Sequence, residues 1–126
     1  MKKILLLTGL ACAFMSFTPQ TGTDGIVQAF KSGSAEEVSK YFDDFIDLKL
    51  LDKDEVKNMG RNQATIMLRS FFTENGIKGF EKVSEREIGN TMYMTGKLQN
   101  SSKGFNITIM LKQKAGKHEI ITIRIN

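Results

Sequence analysis

The sequence predicts an α+β domain: two short N-terminal helices, then a long helix wrapped by a curved, mainly antiparallel sheet of four to five strands. Three observations carry this. Apolar residues recur at helical spacing from Ala64 to Phe72. The period changes to two from Ile77 onward. Turn residues cut that second half into four segments. A chain of 126 residues with 40% apolar and 25% charged side chains fits one globular core, placed over residues 23–126.

Residues 1–22 stand apart. Lys2 and Lys3 form a basic start, and Ile4–Phe17 is an apolar run broken only by Thr8, Gly9 and Ser16. Pro19-Gln20-Thr21-Gly22 then supplies a breaker and polar residues. That order predicts a secretory signal peptide and export to the periplasm or the cell exterior. The apolar run spans about 14 residues against roughly 20 for a membrane crossing, so no transmembrane segment is expected. With no Ala-x-Ala before Thr23, cleavage is placed between Ser16 and Gly22. Cys12 admits two readings. Gly9-Leu10-Ala11 before it suits a lipid-anchored cysteine, but Ala13-Phe14-Met15 continue the apolar run where a lipoprotein would turn polar. On the favoured reading Cys12 leaves with the signal, and disulfide or thiol chemistry is excluded.

Taking the elements in order, Ile26, Val27 and Phe30 share one helical face, and Gly33 is expected to end that helix in the left-handed region. Ser34-Ala35-Glu36-Glu37 reads as a capping box opening a second helix, whose stripe is Val38, Tyr41 and Phe42. Phe45–Leu51 reads as a strand turned by Asp52-Lys53-Asp54. The long helix buries Ala64, Met67, Leu68, Phe71 and Phe72, starting near Gly60 and stopping at Gly76.

Register fixes the sheet, because a slip of one residue turns every apolar side chain to water. A four-residue loop over Asn100–Lys103 pairs Leu98 with Phe105 and Met94 with Ile109. A three-residue loop over Ala115–Lys117 pairs Lys114 with His118, Leu111 with Ile121, Ile109 with Ile123 and Ile107 with Ile125. The first hairpin stays open. A two-residue type II′ turn at Gly89-Asn90 sets Glu87 opposite Met92 and Glu85 opposite Met94, on the inner face. A three-residue loop instead sends Phe80, Lys82, Ser84, Arg86 and Ile88 inward. Either way charged side chains approach the concave side; the plainer reading is an edge strand whose charges protect the edge.

This order of elements resembles the nuclear-transport-factor-2-like (cystatin-like cone) superfamily, in which a curved sheet wraps a helix and leaves a conical pocket. The sequence is more closely similar to domain-of-unknown-function family 4783. The resemblance covers nearly all of residues 24–126. It is carried by Phe30-Lys31-Ser32-Gly33 at the first helix end, Tyr41-Phe42 before the first strand, Gln63-Ala64 with Phe71-Phe72 in the long helix, and Gly96 in the meander. These are mostly packing and turn residues. The resemblance therefore implies a fold and an exported small domain, and it brings no catalytic residues.

The chemistry-bearing inventory is thin. Of 18 basic residues, 16 remain after the signal against 14 acidic ones, with no basic block, so nucleic-acid binding is not expected. His118 is the single histidine, read as an exposed hairpin residue, which argues against a zinc site or a Ser-His-Asp triad. No glycine-rich phosphate loop is present, and no cofactor or metal is expected. A desolvated carboxylate base with a Tyr donor would draw on Asp43, Asp44, Asp47, Glu85 and Glu87, with Tyr41 or Tyr93; no pair stands out by spacing.

The reading that follows is a non-enzymatic binding domain. It holds a small apolar ligand or peptide in the cone, contacted by Tyr41, Phe72, Glu85, Arg86 and Met94, or a protein partner on the sheet. A cone already filled by Met92, Met94, Phe71 and Phe72 would remove the small-ligand version. Tyr93, Met110 and Ile120 are expected on the outer face as an apolar strip, the surface for a homodimer or assembly subunit. Acid/base catalysis by a buried carboxylate is the remaining alternative.

Overall fold

The computed structural model describes residues 23–126. The expected signal segment, Cys12 and the cleavage site lie outside the described residues.

Helix α1 (Asp24–Lys31) buries Ile26, Ala29 and Phe30. The chain then turns at Gly33, φ +69°, where a Cβ would stand 2.9 Å from the Ile77 carbonyl oxygen. Helix α2 (Ala35–Ser39) is capped by Ser34, whose Oγ accepts the Glu37 N–H at 3.2 Å. Only this half of the capping box forms. The Ser34 N–H donates to Ser32 Oγ instead, and the Glu37 carboxylate takes the Lys40 ammonium at 3.1 Å. A charged donor outcompetes a backbone N–H that already has a partner.

Strands β1 (Phe42–Leu50), β2 (Val56–Gly60), β3 (Gly79–Ile88), β4 (Thr91–Gln99), β5 (Gly104–Lys114) and β6 (Lys117–Ile125) form one sheet in the order β2-β1-β6-β5-β4-β3. Neighbours are antiparallel except β1 and β6, which run parallel. The sheet thus has six strands, not four to five. The addition is β2, which holds Asn58 at φ +55° and buries only Met59. It offers neither the alternation nor the β-branched run by which strands are recognised. Strand β1 begins at Phe42, three residues before the expected start, because Phe42 is buried beside its partner Ile120 while Phe45 faces water.

Helix α3 (Arg61–Asn75) buries Ala64, Leu68, Phe71 and Phe72 and packs Met67 half-buried against them. It follows the extended Gly60 and stops where Gly76 adopts φ +62°. Its Phe71 meets Phe105 edge-on with ring centroids 5.6 Å apart. From α1, Phe30 meets Phe80 of β3 at 5.3 Å.

The β4–β5 hairpin pairs Leu98 with Phe105 and Met94 with Ile109, as the four-residue loop requires. The other two hairpins each change register through a bulge. Near the β5–β6 turn, Lys114 faces Lys117 and Leu111 faces Ile120; farther along, Ile109 faces Ile123 and Ile107 faces Ile125. The loop is therefore two residues, Ala115-Gly116, and Ile121 is the bulged residue. The expected Leu111–Ile121 and Lys114–His118 pairs do not form. Likewise Gly89-Asn90 is a two-residue turn that sets Glu85 against Met94 and Glu87 against Met92, yet Phe80 faces Leu98 and points inward. The irregularity falls between Lys82 and Ser84, leaving Val83 unpaired and 63% exposed. A bulge absorbs one residue and restores the inward set beyond it. Gly96 lies at this point: a Cβ there would fall inside contact distance of Glu81 O and 2.6 Å from the Phe80 ring.

Candidate functional site

Three regions hold the residues singled out by sequence: the cone interior, its polar rim and the outer sheet face. A fourth, beside the β1–β2 connection, was not anticipated.

The interior is a packed core. One row across the sheet reads Glu85, Met94, Ile109, Ile123 and Leu48. Of these, Met94, Ile109, Ile123 and Leu48 are buried, and Phe72 and Phe71 of α3 are buried with them. Met92 is buried as well. Phe72 and Met94, expected as ligand contacts, are thus core side chains, and the four residues named as the test of a filled cone are all buried.

Glu85 ends that row on the rim. Its carboxylate accepts the Lys82 ammonium at 2.7 Å and the Thr23 hydroxyl at 3.2 Å. The Lys82 hydrogen bond holds the Glu85 carboxyl below the usual range, against the opposing effect of partial burial; Lys82 charge, the Thr23 hydroxyl and the nearby His118 imidazole add to the lowering. His118 itself pairs with Gln113 and is half-buried, not the exposed hairpin residue expected; its Nε2 is buried with no hydrogen-bond partner among the described residues. Tyr41 is half-buried, and its hydroxyl lies inside contact distance of where a Gly25 Cβ would be, so a side chain at position 25 would have to displace the Tyr41 ring. Asp43 is also held low, first by a hydrogen bond from Lys114 at 3.0 Å and then by the Asp44 N–H. A general base of the desolvated kind needs its pKa raised, and both carboxylates go the other way.

Arg86 does not join Glu85. It pairs with Tyr93 and lies on the outer face, where it lines a shallow hollow with Ser84, Ile88, Tyr93 and Thr95. The outer row reads Arg86, Tyr93, Met110, Thr122 and Asp47. Tyr93 and Met110 are half-buried there, as expected of the strip. Ile120 is not: it is 0% exposed and belongs to the inner face. The bulge transfers its outward place to the half-buried Ile121. Ile88 and Phe45 extend the apolar surface at 55% and 60% exposure. The adjacent Ile120-Ile121 pair, breaking strict alternation, was the available signal of the bulge.

The fourth region is a cleft of about 250 Å³ between the end of β1 with its following turn and helix α3, walled by Leu51, Asp52, Met67, Phe71 and Glu74 among others. In sequence its only trace is an apolar residue, Leu51, continuing past the strand end into Asp52-Lys53-Asp54. No group of three or more His, Cys, Asp or Glu side chains among the described residues is arranged to hold a metal. Among the described residues no helix is long and apolar enough to cross a membrane.

Comparison with known proteins agrees with this architecture. A DUF4783 family protein from Bacteroides ovatus ATCC 8483 is 29% identical with a TM-score of 0.72, over 81% of this chain and 91% of that one. A DUF4783 family protein from Bacteroides uniformis ATCC 8492 is 23% identical with a TM-score of 0.74, over 82% and 94%. The protein described as "Rd1NTF2_04 with long sheet" shares the fold alone, at 16% identity and a TM-score of 0.61 over 82% of this chain and 95% of that one. No curated protein matches the sequence. Residues 23–126 match the family described as Domain of unknown function (DUF4783), and with its NTF2-like cone fold the chain belongs to that family.

Proposed function

We propose that this chain is an exported, non-enzymatic binding domain that works through the outer face of its sheet, with a second copy of itself as partner. The observation that carries the reading is the outer row Asp47, Thr122, Met110, Tyr93, Arg86, flanked by exposed Phe45 and Ile88. The row has Met110 at its centre, an acid at one end and a base at the other. A two-fold axis along β5 would set Met110 on Met110, Tyr93 on Thr122 and Arg86 on Asp47, which is the self-complementarity an isologous dimer needs. The buried inner face supports the same choice, since Met92, Met94, Phe71 and Phe72 of the chain itself occupy it. The basic start and apolar run before residue 18 support export.

Sedimentation velocity of the protein tests this. The expected result is a dimer that Tyr93→Glu and Arg86→Asp each convert to monomer, and that Arg86→Asp combined with Asp47→Arg restores. A wild-type protein that is monomeric at all concentrations overturns the reading. N-terminal sequencing of the protein from its expressing cell checks export, with a start between residues 17 and 23 expected.

A second reading has one observation behind it. The buried His118 Nε2, without a hydrogen-bond partner among the described residues and near enough to Glu85 to influence its charge, is a polar group suited to a small polar ligand on the cone rim. Native mass spectrometry of protein purified from its host would reveal such a ligand, and a clean apo mass spectrum removes it.

A further inference from the structure

Residues 23–126 contain no cysteine, so thioethers are the only sulfur this domain offers to an oxidant. Met59, Met92 and Met94 are buried in the core. Met67 and Met110 are half-buried and lie on opposite sides of the sheet: Met67 on helix α3 over the inner face, Met110 on the outer face.

Met110 stands where a change at sulfur has the largest consequence. It pairs with Tyr93 on one side and Thr122 on the other, at the middle of the outer row. The two-fold axis proposed above runs along β5 and sets Met110 of one copy against Met110 of the other; the inference rests on that pairing. A thioether suits such a place, being soft, apolar and favourable against an aromatic ring such as Tyr93. A sulfoxide does not. It is polar, and its oxygen needs a hydrogen-bond donor once water is removed. The Met110 side chain opposite has no donor to give, and symmetry brings both oxygens to the same point.

We propose that Met110 is an oxidation site that switches the outer face from paired to free, with hydrogen peroxide as the oxidant. The Met110 sulfur bonds one peroxide oxygen and loses two electrons, the O–O bond breaks, and the other oxygen leaves as water. The sulfur meets peroxide only while the face is uncovered, so oxidation traps the free copy and draws the dimer apart. Reduction of the sulfoxide to the thioether reverses the change.

The test treats the full chain with hydrogen peroxide at low and high protein concentration. Peptide mass spectrometry follows sulfoxide at Met110 and Met67, and sedimentation velocity follows association. Met67 should oxidise at one rate throughout. Met110 should oxidise about fivefold more slowly at about ten times the dissociation constant, where about a fifth of the copies are free. Sulfoxide at Met110 should raise the dissociation constant about tenfold or more. Methionine sulfoxide reductases acting on both epimers should restore it, and Met67→Leu should respond as wild type does. An untreated protein that is monomeric at every concentration fails the pairing and takes this inference with it. A dimer whose dissociation constant is unchanged with Met110 fully oxidised, or whose response is lost in Met67→Leu, overturns the switch and leaves the pairing standing.

Discussion

Met94 and Tyr93 are neighbours in β4 with opposite fates. Met94 points into the cone, 0% exposed, among Ile109, Ile123 and α3; Tyr93 points out, half-buried, between Arg86 and Met110. The inner face is filled by its own side chains, whereas the outer face carries apolar surface with nothing over it among the described residues. A cone need not work through its interior: in this chain the unfilled surface lies on the other side of the same strands. Met94→Ala is the strongest way to break this contrast. Removing a fully buried Met side chain should cost about 2–5 kcal/mol in denaturant unfolding, because the lost transfer energy is joined by a cavity. Tyr93→Ala should stay within about 0.5 kcal/mol at protein concentrations too low for association. Its cost should grow with concentration if the face pairs, since partner binding stabilises the folded form by mass action. A small loss at Met94 would mean that the interior is loosely packed and would reopen it to ligands.

Gly96→Ala sharpens the same point from the backbone side. The added methyl group meets Glu81 O and the Phe80 ring inside contact distance, beside the β3 bulge. Overpacking of this kind costs about 1–3 kcal/mol, and a fixed backbone oxygen cannot swing away as a side chain can. Unfolding midpoints of the variant and wild type measure it. A neutral result would show the bulge to be soft and the inner register to be adjustable.

The central register was legible in the sequence and the hairpin tips were not, for a physical reason. Hydrophobic alternation reports which residues face the core, so Met94 opposite Ile109 and Ile109 opposite Ile123 followed from the pattern. It cannot report a bulge between core and turn, which changes the residue count without changing the core. For β5–β6 the alternation demanded three loop residues, while the chain uses two and bulges at Ile121. The turn also hid itself. Ala115 and Gly116 both have positive φ, +52° and +80°, as a type I′ turn requires, yet alanine gives no sequence signal for that conformation. Among the site residues, Glu85 and Tyr93 followed from turn type and alternation. The same two-residue turn that sets Glu85 inward sets Arg86 outward, whereas Ile120 exchanged faces with Ile121 because of the β6 bulge. The cleft at Leu51, which adopts φ +54°, depends on how a turn packs on a distant helix turn, and local sequence does not encode that. Ala115→Asn should therefore stabilise the protein by about 0.5 kcal/mol, since Asn tolerates the left-handed region better than alanine does. If it destabilises, the two-residue turn is wrong and the strict three-residue loop returns.

The smallest expected effect lies where the two faces meet, at Glu85. It ends the inner row and yet its side chain remains 29% exposed, paired with a Lys82 side chain 39% exposed. Because the hydrogen bond from Lys82 lowers the folded pKa of Glu85, the folded state favours the ionised form relative to the unfolded chain. The stabilisation is fully present above the usual glutamate value of 4.5 and is lost as pH falls through the lower folded value. Exposure and solvent screening keep it to about 0.2–0.5 kcal/mol. Urea unfolding at pH 7 and pH 3 should thus show slightly less acid loss in Lys82→Gln than in wild type, with the difference shrinking as salt is added. A larger loss in the variant would mean that Glu85 is stabilised chiefly by groups other than Lys82. That result would shift weight to Thr23 and His118, and with them to a ligand on the rim instead of a partner on the outer sheet.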